Sequence, residues 1–154
     1  MRLTRYTDYA LRLLMFLGTH PDELCTIQQI AEVYGISKNH LMKITHQLGQ
    51  AGYVETLRGR GGGLRLAKPP SRIRVGDVIR VTEEDLDLVE CFNKDRNSCV
   101  ITKACRLQGV LSEALDAYLA VLDRYSLEDL LADDSALRSL LSNLPGNEAR
   151  RLPG

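Results

Sequence analysis

The stretch TIQQIAEVYGISKNHLMKITHQLGQ, residues 26–50, contains two helix starts separated by a glycine. Thr26 and Gln29 have the Thr-x-x-Gln spacing of a capping box, which predicts that a short helix begins here. Gly35 suits the left-handed conformation that ends such a helix, and Ser37 is placed to cap a second one. Two capped helices joined by a glycine-containing turn predict a helix-turn-helix, although other pairs of packed helices share this pattern.

The second helix of this pair has one apolar side and one polar side. At helical spacing Leu41, Ile44 and Leu48 face a core, which leaves polar and basic side chains on the opposite surface. A helix surface of this kind is typical of contacts to DNA. The predicted base contacts are Asn39, His40 and Lys43, and the predicted phosphate contacts are Ser37 and Lys38.

A basic, glycine-rich segment follows the helix pair. Strand-like runs at residues 53–57 and 64–67 flank the sequence RGRGGG and predict a β-hairpin. A hairpin after a helix-turn-helix is a wing, whose glycines let the backbone approach phosphates while arginines reach into a groove. A nucleotide-binding loop is disfavoured because no Gly-Lys-Ser/Thr follows and the chain continues into a strand. The predicted wing contacts with DNA are Arg58, Arg60, Gly61, Gly62 and Arg65.

Charge is divided unevenly along the chain. The 154 residues have a net charge of zero, but residues 1–80 hold 12 Lys and Arg against 6 Asp and Glu, whereas residues 81–154 hold 8 against 14. Between Lys38 and Arg74, eight basic residues accompany one acidic residue, Glu55. Such a region is expected of a protein that binds a polyanion, although a solvated basic surface would have the same composition.

The overall composition favours a globular protein of the cytoplasm. Hydrophobic residues make up 44% of the chain, which is enough for a core. No segment approaches the roughly 20 apolar residues of a membrane span, and the N-terminus has no continuous apolar segment of a signal peptide. We therefore expect a cytoplasmic location, where clustered cysteines are more often metal ligands or redox sensors than disulfides.

A long helix is predicted after residue 105. Leu111, Leu115, Tyr118, Leu122 and Tyr125 repeat at steps of four and three residues, as in a heptad pattern. This stripe is broader than a small winged-helix domain needs, so we expect a dimerisation helix; a helix folded back on its own domain is the alternative. The predicted organisation is mainly α-helical with one small β-hairpin: a winged helix-turn-helix domain (1–82), a cysteine-rich loop (83–106), the dimerisation helix with a short terminal helix (107–142) and a disordered tail (143–154).

Three of the four cysteines lie in one polar segment. Cys91, Cys99 and Cys105 are separated by seven and then five residues, with little helix or strand pattern between them. Thiolates on one loop can converge on a soft metal, but a zinc site or a cubane iron–sulfur cluster usually needs a fourth ligand. Cys25 stands alone and is expected to be a small buried residue.

The predicted first helix, residues 4–18, carries Asp8 and Arg12 one turn apart on its polar side. The pattern alone indicates a surface ion pair, with Asp8 also favoured near the positive end of the helix dipole.

The order of these features resembles a known family. The helix-turn-helix, the wing sequence RGRGGGL, the cysteine loop and the sequence ACRL at the head of a long helix occur in turn over about residues 1–132. In this they resemble the winged-helix iron–sulfur regulators of the NsrR and IscR kind, and most of all the NsrR-type regulators that sense nitric oxide. The resemblance implies a homodimer that binds operator DNA as a transcriptional regulator, expected to be a repressor and not an enzyme.

The resemblance also implies a ligand set. Cys91, Cys99 and Cys105 would bind a [4Fe–4S] cluster, and Asp8, within a stretch that matches the NsrR-like members, would complete it from the partner subunit. IscR-like members use a histidine three residues after the third cysteine, where this chain has Gln108. Nitric oxide would release Asp8 and lower operator affinity. The first gap between cysteines, seven residues, is longer than in many members. Two alternatives stay open: a [2Fe–2S] redox or iron-status regulator of the same fold, and a zinc-stabilised DNA-binding protein without sensing.

Overall fold

Short capped helices around a β-hairpin make up most of the computed structural model, which describes residues 2–133, 135–142 and 150–151. The elements within these ranges, in chain order, are α1 (Arg5–Thr19), β1 (Glu23–Leu24), α2 (Ile27–Tyr34), α3 (Lys38–Gln50), β2 (Val54–Leu57), β3 (Gly63–Leu66), α4 (Val75–Thr82), α5 (Arg106–Asp123), α6 (Leu127–Leu131), α7 (Ser135–Ser142) and β4 (Arg150–Arg151). The prediction of a mainly α-helical fold with one small hairpin is confirmed.

The helix starts are fixed by the capping residues expected from the sequence. The Thr26 hydroxyl accepts the Gln29 N–H, and the Gln29 side chain accepts the Thr26 N–H, which completes the capping box of α2. Gly35 ends α2 with a φ of 63°, a conformation that costs glycine little. Ser37 then caps α3 by accepting the His40 N–H at 3.3 Å.

The hydrophobic core lies between α1 and the helix-turn-helix. On α1, Leu13 and Leu14 are almost completely buried, and on α3 Leu41, Ile44 and Leu48 have no exposed surface. Truncating one such leucine to alanine costs on the order of 2–5 kcal/mol, so these residues stabilise the platform from which α3 projects.

Helix α6 also belongs to this core. Leu127 and Leu131 of α6 and Leu141 of α7 are buried in the same cluster as α1. Leu131 packs so closely on Gly18 that a Cβ there would lie 2.4 Å from its Cδ1. The sequence analysis grouped residues 107–142 with the dimerisation helix and did not anticipate that Leu127, Leu131 and Leu141 pack into the winged-helix core. The division of the chain into the four predicted segments stays a prediction.

Helix α5 is attached to the rest of the protomer near its C-terminal end. The guanidinium of Arg80 on α4 donates to both carboxylate oxygens of Asp123, at 2.6 and 2.7 Å. Within Arg106–Asp123, all of it described, Leu119 is the one buried residue, while Leu107 and Val110 are each 60% exposed. The predicted stripe itself is half-buried in the protomer at Leu111, Leu115, Tyr118 and Leu122 and exposed at Tyr125. It is therefore only partly covered, and its role in dimerisation stays a prediction.

The predicted disordered tail falls mostly outside the described residues. Arg150–Arg151 forms β4 and pairs antiparallel with β1, with Glu23 opposite Arg151. None of the helices in the described part of the chain is long and apolar enough to cross a membrane.

Candidate DNA interface and cysteine segment

Helix α3 presents a continuous exposed surface. Asn39, Lys43 and His46 recur at steps of four and three residues and lie opposite the buried leucines. The structure brings all five predicted contacts of this helix onto its exposed side, namely Ser37, Lys38, Asn39, His40 and Lys43. His46 and Met42 share this surface but were not among the predicted contacts.

Two hydrogen bonds to backbone carbonyls fix α3 against its neighbours. The hydroxyl of Tyr6 on α1 donates to the carbonyl of Lys43 at 3.1 Å. The side-chain amide of Gln47 donates to the carbonyl of Val81, near the end of α4, at 2.5 Å. The orientation of the exposed surface is therefore tied to both α1 and α4.

The wing is a two-stranded antiparallel hairpin with a tight glycine tip. Gly59 and Gly61 have φ values of 100° and 82°, which side chains rarely tolerate. A Cβ at Gly62 would lie 2.1 Å from the carbonyl oxygen of Leu57, so only glycine fits. Arg58 and Arg60 are exposed at this tip.

Arg65 differs from the other predicted DNA contacts. It lies directly opposite Glu55 in the β2–β3 register, and its Nε is 2.8 Å from the Glu55 carboxylate. Across the described ranges 2–133, 135–142 and 150–151, no ion pair engages Lys38, Lys43, Arg58 or Arg60. These four cations are therefore available to phosphates, whereas Arg65 must share its charge with Glu55.

The cysteine segment folds as short turns held by polar side chains. The Asn97 side chain accepts the Cys99 N–H at 3.0 Å, and the Thr102 hydroxyl donates to the Cys99 carbonyl at 2.8 Å. Cys105 is the N-cap of α5 but makes no capping bond with its side chain. Cys91, Cys99 and Cys105 are free, partly exposed thiols, in contrast to the buried Cys25.

Sulfur ligands suit soft metals such as iron and zinc, and all three of these thiols are free. They are not gathered beforehand: among the described residues, no group of three or more His, Cys, Asp and Glu side chains could hold a metal ion. Ligand sets often assemble only on binding. Within its own protomer Asp8 pairs with Arg12, at 2.8 Å between Oδ2 and Nη2.

Comparison with known proteins identifies the family. The family described as "Rrf2: Iron-dependent Transcriptional regulator" matches residues 3–133. The chain belongs to the Rrf2 family. Two relatives, each named HTH-type transcriptional regulator NsrR, come from Bacillus subtilis (57% identical, covering 92% of this chain and 97% of the relative) and Shouchella clausii (53%, covering 92% and 95%).

Solved Rrf2-like structures share the fold. T. potens IscR has a TM-score of 0.70 and 28% identity, covering 86% of this chain and 88% of that structure. CymR, the global cysteine regulator of B. subtilis, has a TM-score of 0.66 and 26% identity, covering 84% and 95%. The predicted family and winged-helix fold are confirmed, and this Rrf2 chain is a transcriptional regulator.

Two contacts around the cysteine segment of this Rrf2 protein were not anticipated. The side-chain amide of Gln108 donates to the carbonyl of Cys91 at 2.9 Å, so the residue at the histidine position of IscR-like proteins ties the first cysteine to α5. Arg96, between the first two cysteines, lies 3.2 Å from a carboxylate oxygen of Asp85 and 3.8 Å from one of Asp87. These contacts join residues farther apart than one helical turn or one hairpin register, so no local repeat in the sequence indicates them.

Proposed function

We propose that this protein is a cytoplasmic, homodimeric repressor whose affinity for operator DNA is set by an iron–sulfur cluster that reacts with nitric oxide. The observation that carries the proposal is that one chain combines four unpaired cations on α3 and the wing with three free thiols on one segment. The relatives named NsrR, at up to 57% identity, support the same conclusion.

The DNA-binding part follows from the exposed surfaces. We infer that Asn39, His40 and Lys43 approach base edges in the major groove, with Ser37 and Lys38 at phosphates. The wing would add Arg58 and Arg60, whose backbone can come close to the duplex at the glycine tip. In a two-fold dimer, two such surfaces roughly 34–36 Å apart would match half-sites one helical turn apart.

The cysteine segment would hold the cluster. Cys91, Cys99 and Cys105 supply three thiolates, and Asp8 of the partner subunit supplies a carboxylate oxygen as the fourth ligand. When bound, a [4Fe–4S] cluster with one carboxylate ligand supplies an iron that is held less firmly than its thiolate-bound neighbours and is open to nitric oxide. Asp8 would join the first helix of one subunit to the cysteine segment of the other.

Contacts within the protomer connect this segment to the DNA-binding surface. Glu83, at the start of the acidic connector, accepts both the backbone N–H of Thr4 at 2.8 Å and its hydroxyl at 3.0 Å. Thr4 is the N-cap of α1, the helix that carries Asp8 and contacts α3 through Tyr6. A change in how Asp8 is held would therefore act on the helix that positions α3.

The test is a DNA-binding titration of the cluster-loaded protein under anaerobic conditions, with and without nitric oxide, at one salt concentration. We expect tight operator binding that weakens by more than about a hundredfold when nitric oxide is added. The expected factor corresponds to losing a conformational preference of roughly 3 kcal/mol for the DNA-binding state. Equal affinity of the loaded and the metal-free protein for the operator would contradict the proposal.

Iron counting and an absorption spectrum of the same sample separate the alternatives. About four irons per site would support the [4Fe–4S] cluster, and two would support a [2Fe–2S] redox or iron-status regulator. Zinc in place of iron, together with no response to nitric oxide, would indicate a metal that only stabilises the fold.

A further inference from the structure

Met42 is an exposed apolar side chain in the middle of the polar surface of α3. It is 56% exposed, while the preceding Leu41 is completely buried. By helical spacing its neighbours on the surface are Lys38 and Asn39 one turn earlier and His46 one turn later. All three of these neighbours are exposed, whereas Thr45, three residues later, is buried. Met42 belongs neither to the buried core cluster nor to the partly buried residues packed against it.

The charges around Met42 indicate what covers it. Lys38 and Lys43 lie on the same surface, and neither makes an ion pair within the described part of the chain. A surface that holds two free cations is complementary to a polyanion. In the major groove of DNA, the apolar group at a base edge is the C5-methyl group of thymine, so this is the group that an uncovered methionine between cations would meet.

We propose that Met42 contacts a thymine C5-methyl group in each operator half-site and thereby determines part of the sequence specificity. The proposal rests on the proposed function, in which α3 is the helix that enters the major groove. Methionine suits this role because its unbranched thioether side chain adapts to a small apolar partner. The contact adds apolar readout to the polar contacts expected from Asn39 and Lys43.

The experiment removes one methyl group at a time from the DNA. A duplex that wild-type protein selects from a random-sequence library is prepared with each thymine replaced singly, and then in symmetric pairs, by deoxyuridine. Deoxyuridine keeps the base pairing and lacks only the C5-methyl group. At one position per half-site we expect about a fourfold loss of affinity, because burial of a methyl-sized group is worth roughly 0.8 kcal/mol. The symmetric pair should lose roughly sixteenfold, since the two half-sites add.

The same duplexes are then tested with two protein variants, Met42→Ala and Met42→Leu. Met42→Ala should bind the thymine duplex more weakly and lose nothing further on the deoxyuridine duplex, because the methyl group no longer has a partner. Met42→Leu should keep most of the methyl dependence. Leu140→Ala serves as the matched control, because Leu140 is a 73% exposed apolar residue on α7 rather than α3. The control should retain both the affinity and the methyl dependence of the wild type.

Two results would overturn the proposal while leaving the proposed function intact. In the first, wild-type protein discriminates the selected duplex from an unrelated one but responds to no thymine replacement. In the second, Met42→Ala loses the same factor as the wild type on every deoxyuridine duplex, so that another side chain contacts the methyl group. Failure of wild-type protein to discriminate between selected and unrelated DNA would instead contradict the proposed function.

Discussion

Replacement of Asp8 by alanine distinguishes a surface ion pair from a cluster ligand. In the protomer, Arg12 donates to Asp8 through Nε at 3.1 Å and Nη2 at 2.8 Å, and the side chains of Arg12 and Asp8 are 44% and 47% exposed. Such a pair one turn apart contributes about 0.3–0.5 kcal/mol, and a carboxylate in the first helical turn adds roughly 0.3–1 kcal/mol. The structural role of Asp8 is therefore small.

These magnitudes set the expected result for the metal-free protein. A loss of at most about 1.5 kcal/mol lowers the Tm of a protein of this size by no more than roughly 6 °C. In the cluster-loaded protein, by contrast, Asp8→Ala should change the absorption spectrum and release iron to a chelator much faster than the wild type. Arg12→Ala is the control, because it breaks the same ion pair and leaves the carboxylate in place.

Mixed dimers test whether the ligand comes from the partner subunit. One protomer carries Asp8→Ala with its cysteines intact, and the other carries alanine at Cys91, Cys99 and Cys105 with its aspartate intact. A ligand supplied from the partner subunit gives this heterodimer one complete site, whereas a ligand from the same chain gives none. The reasoning is refuted if the heterodimer keeps no cluster of wild-type stability, or if Asp8→Ala and Arg12→Ala behave alike in the loaded protein.

Three further variants or measurements test the wing, the core and the thiols. Arg60→Ala should weaken operator binding and reduce the slope of log affinity against log salt by about one; unchanged affinity would exclude the wing contact. In urea unfolding, Gly18→Ala should lower the free energy of unfolding by about 1–3 kcal/mol, because the new Cβ would lie 2.4 Å from Leu131 Cδ1. Gly49→Ala is the contrast: the nearest atom to its new Cβ is 3.6 Å away, and the free energy of unfolding should rise by roughly 0.5–1 kcal/mol. Burial raises the pKa of the Cys25 thiol to about 12, so iodoacetamide at pH 8 should modify three cysteines rapidly in the metal-free protein and the fourth only after unfolding.

The Cys25 thiol also makes stability depend on alkaline pH. Its pKa is higher in the folded chain than the ordinary value of 9.0, so the folded state binds more protons between these two values. The contribution of the protonated Cys25 thiol to the free energy of unfolding is therefore complete below about pH 9 and declines as the pH rises toward 12.

The helices and the wing could be predicted because their determinants are local. The capping residues Thr26 and Ser37 and the turn residue Gly35 act within four positions of where they stand, and each performs its expected role. The position of α6 could not be predicted in this way. It depends on Leu131 fitting the space left by Gly18, which is more than one hundred residues away in the sequence.

The candidate site also has some features that follow from local sequence and others that depend on the folded chain. The exposed surface of α3 follows from helical periodicity, and three thiols on one segment are visible in the sequence itself. Arg65 illustrates a partial exception: its cross-strand partner Glu55 follows from the hairpin register, so the shared charge could have been inferred before the structure was known. The contacts of Gln108 and Arg96 join segments whose relative position only the folded chain defines.

The sensing site that we propose is not assembled in the protomer alone. No residue between Glu83 and Cys105 is buried, and the three thiols are not gathered into a metal-binding group within the described part of the chain. The first turns of α5, immediately after Cys105, also carry uncovered apolar side chains, with Leu107 and Val110 each 60% exposed. A second copy packed along α5 would shield the segment from water and bring Asp8 of the partner subunit toward it. Dimer formation and cluster binding would then depend on the same surface. A signal that changes the ligands of the cluster would therefore also change the spacing of the two DNA-binding surfaces in the dimer.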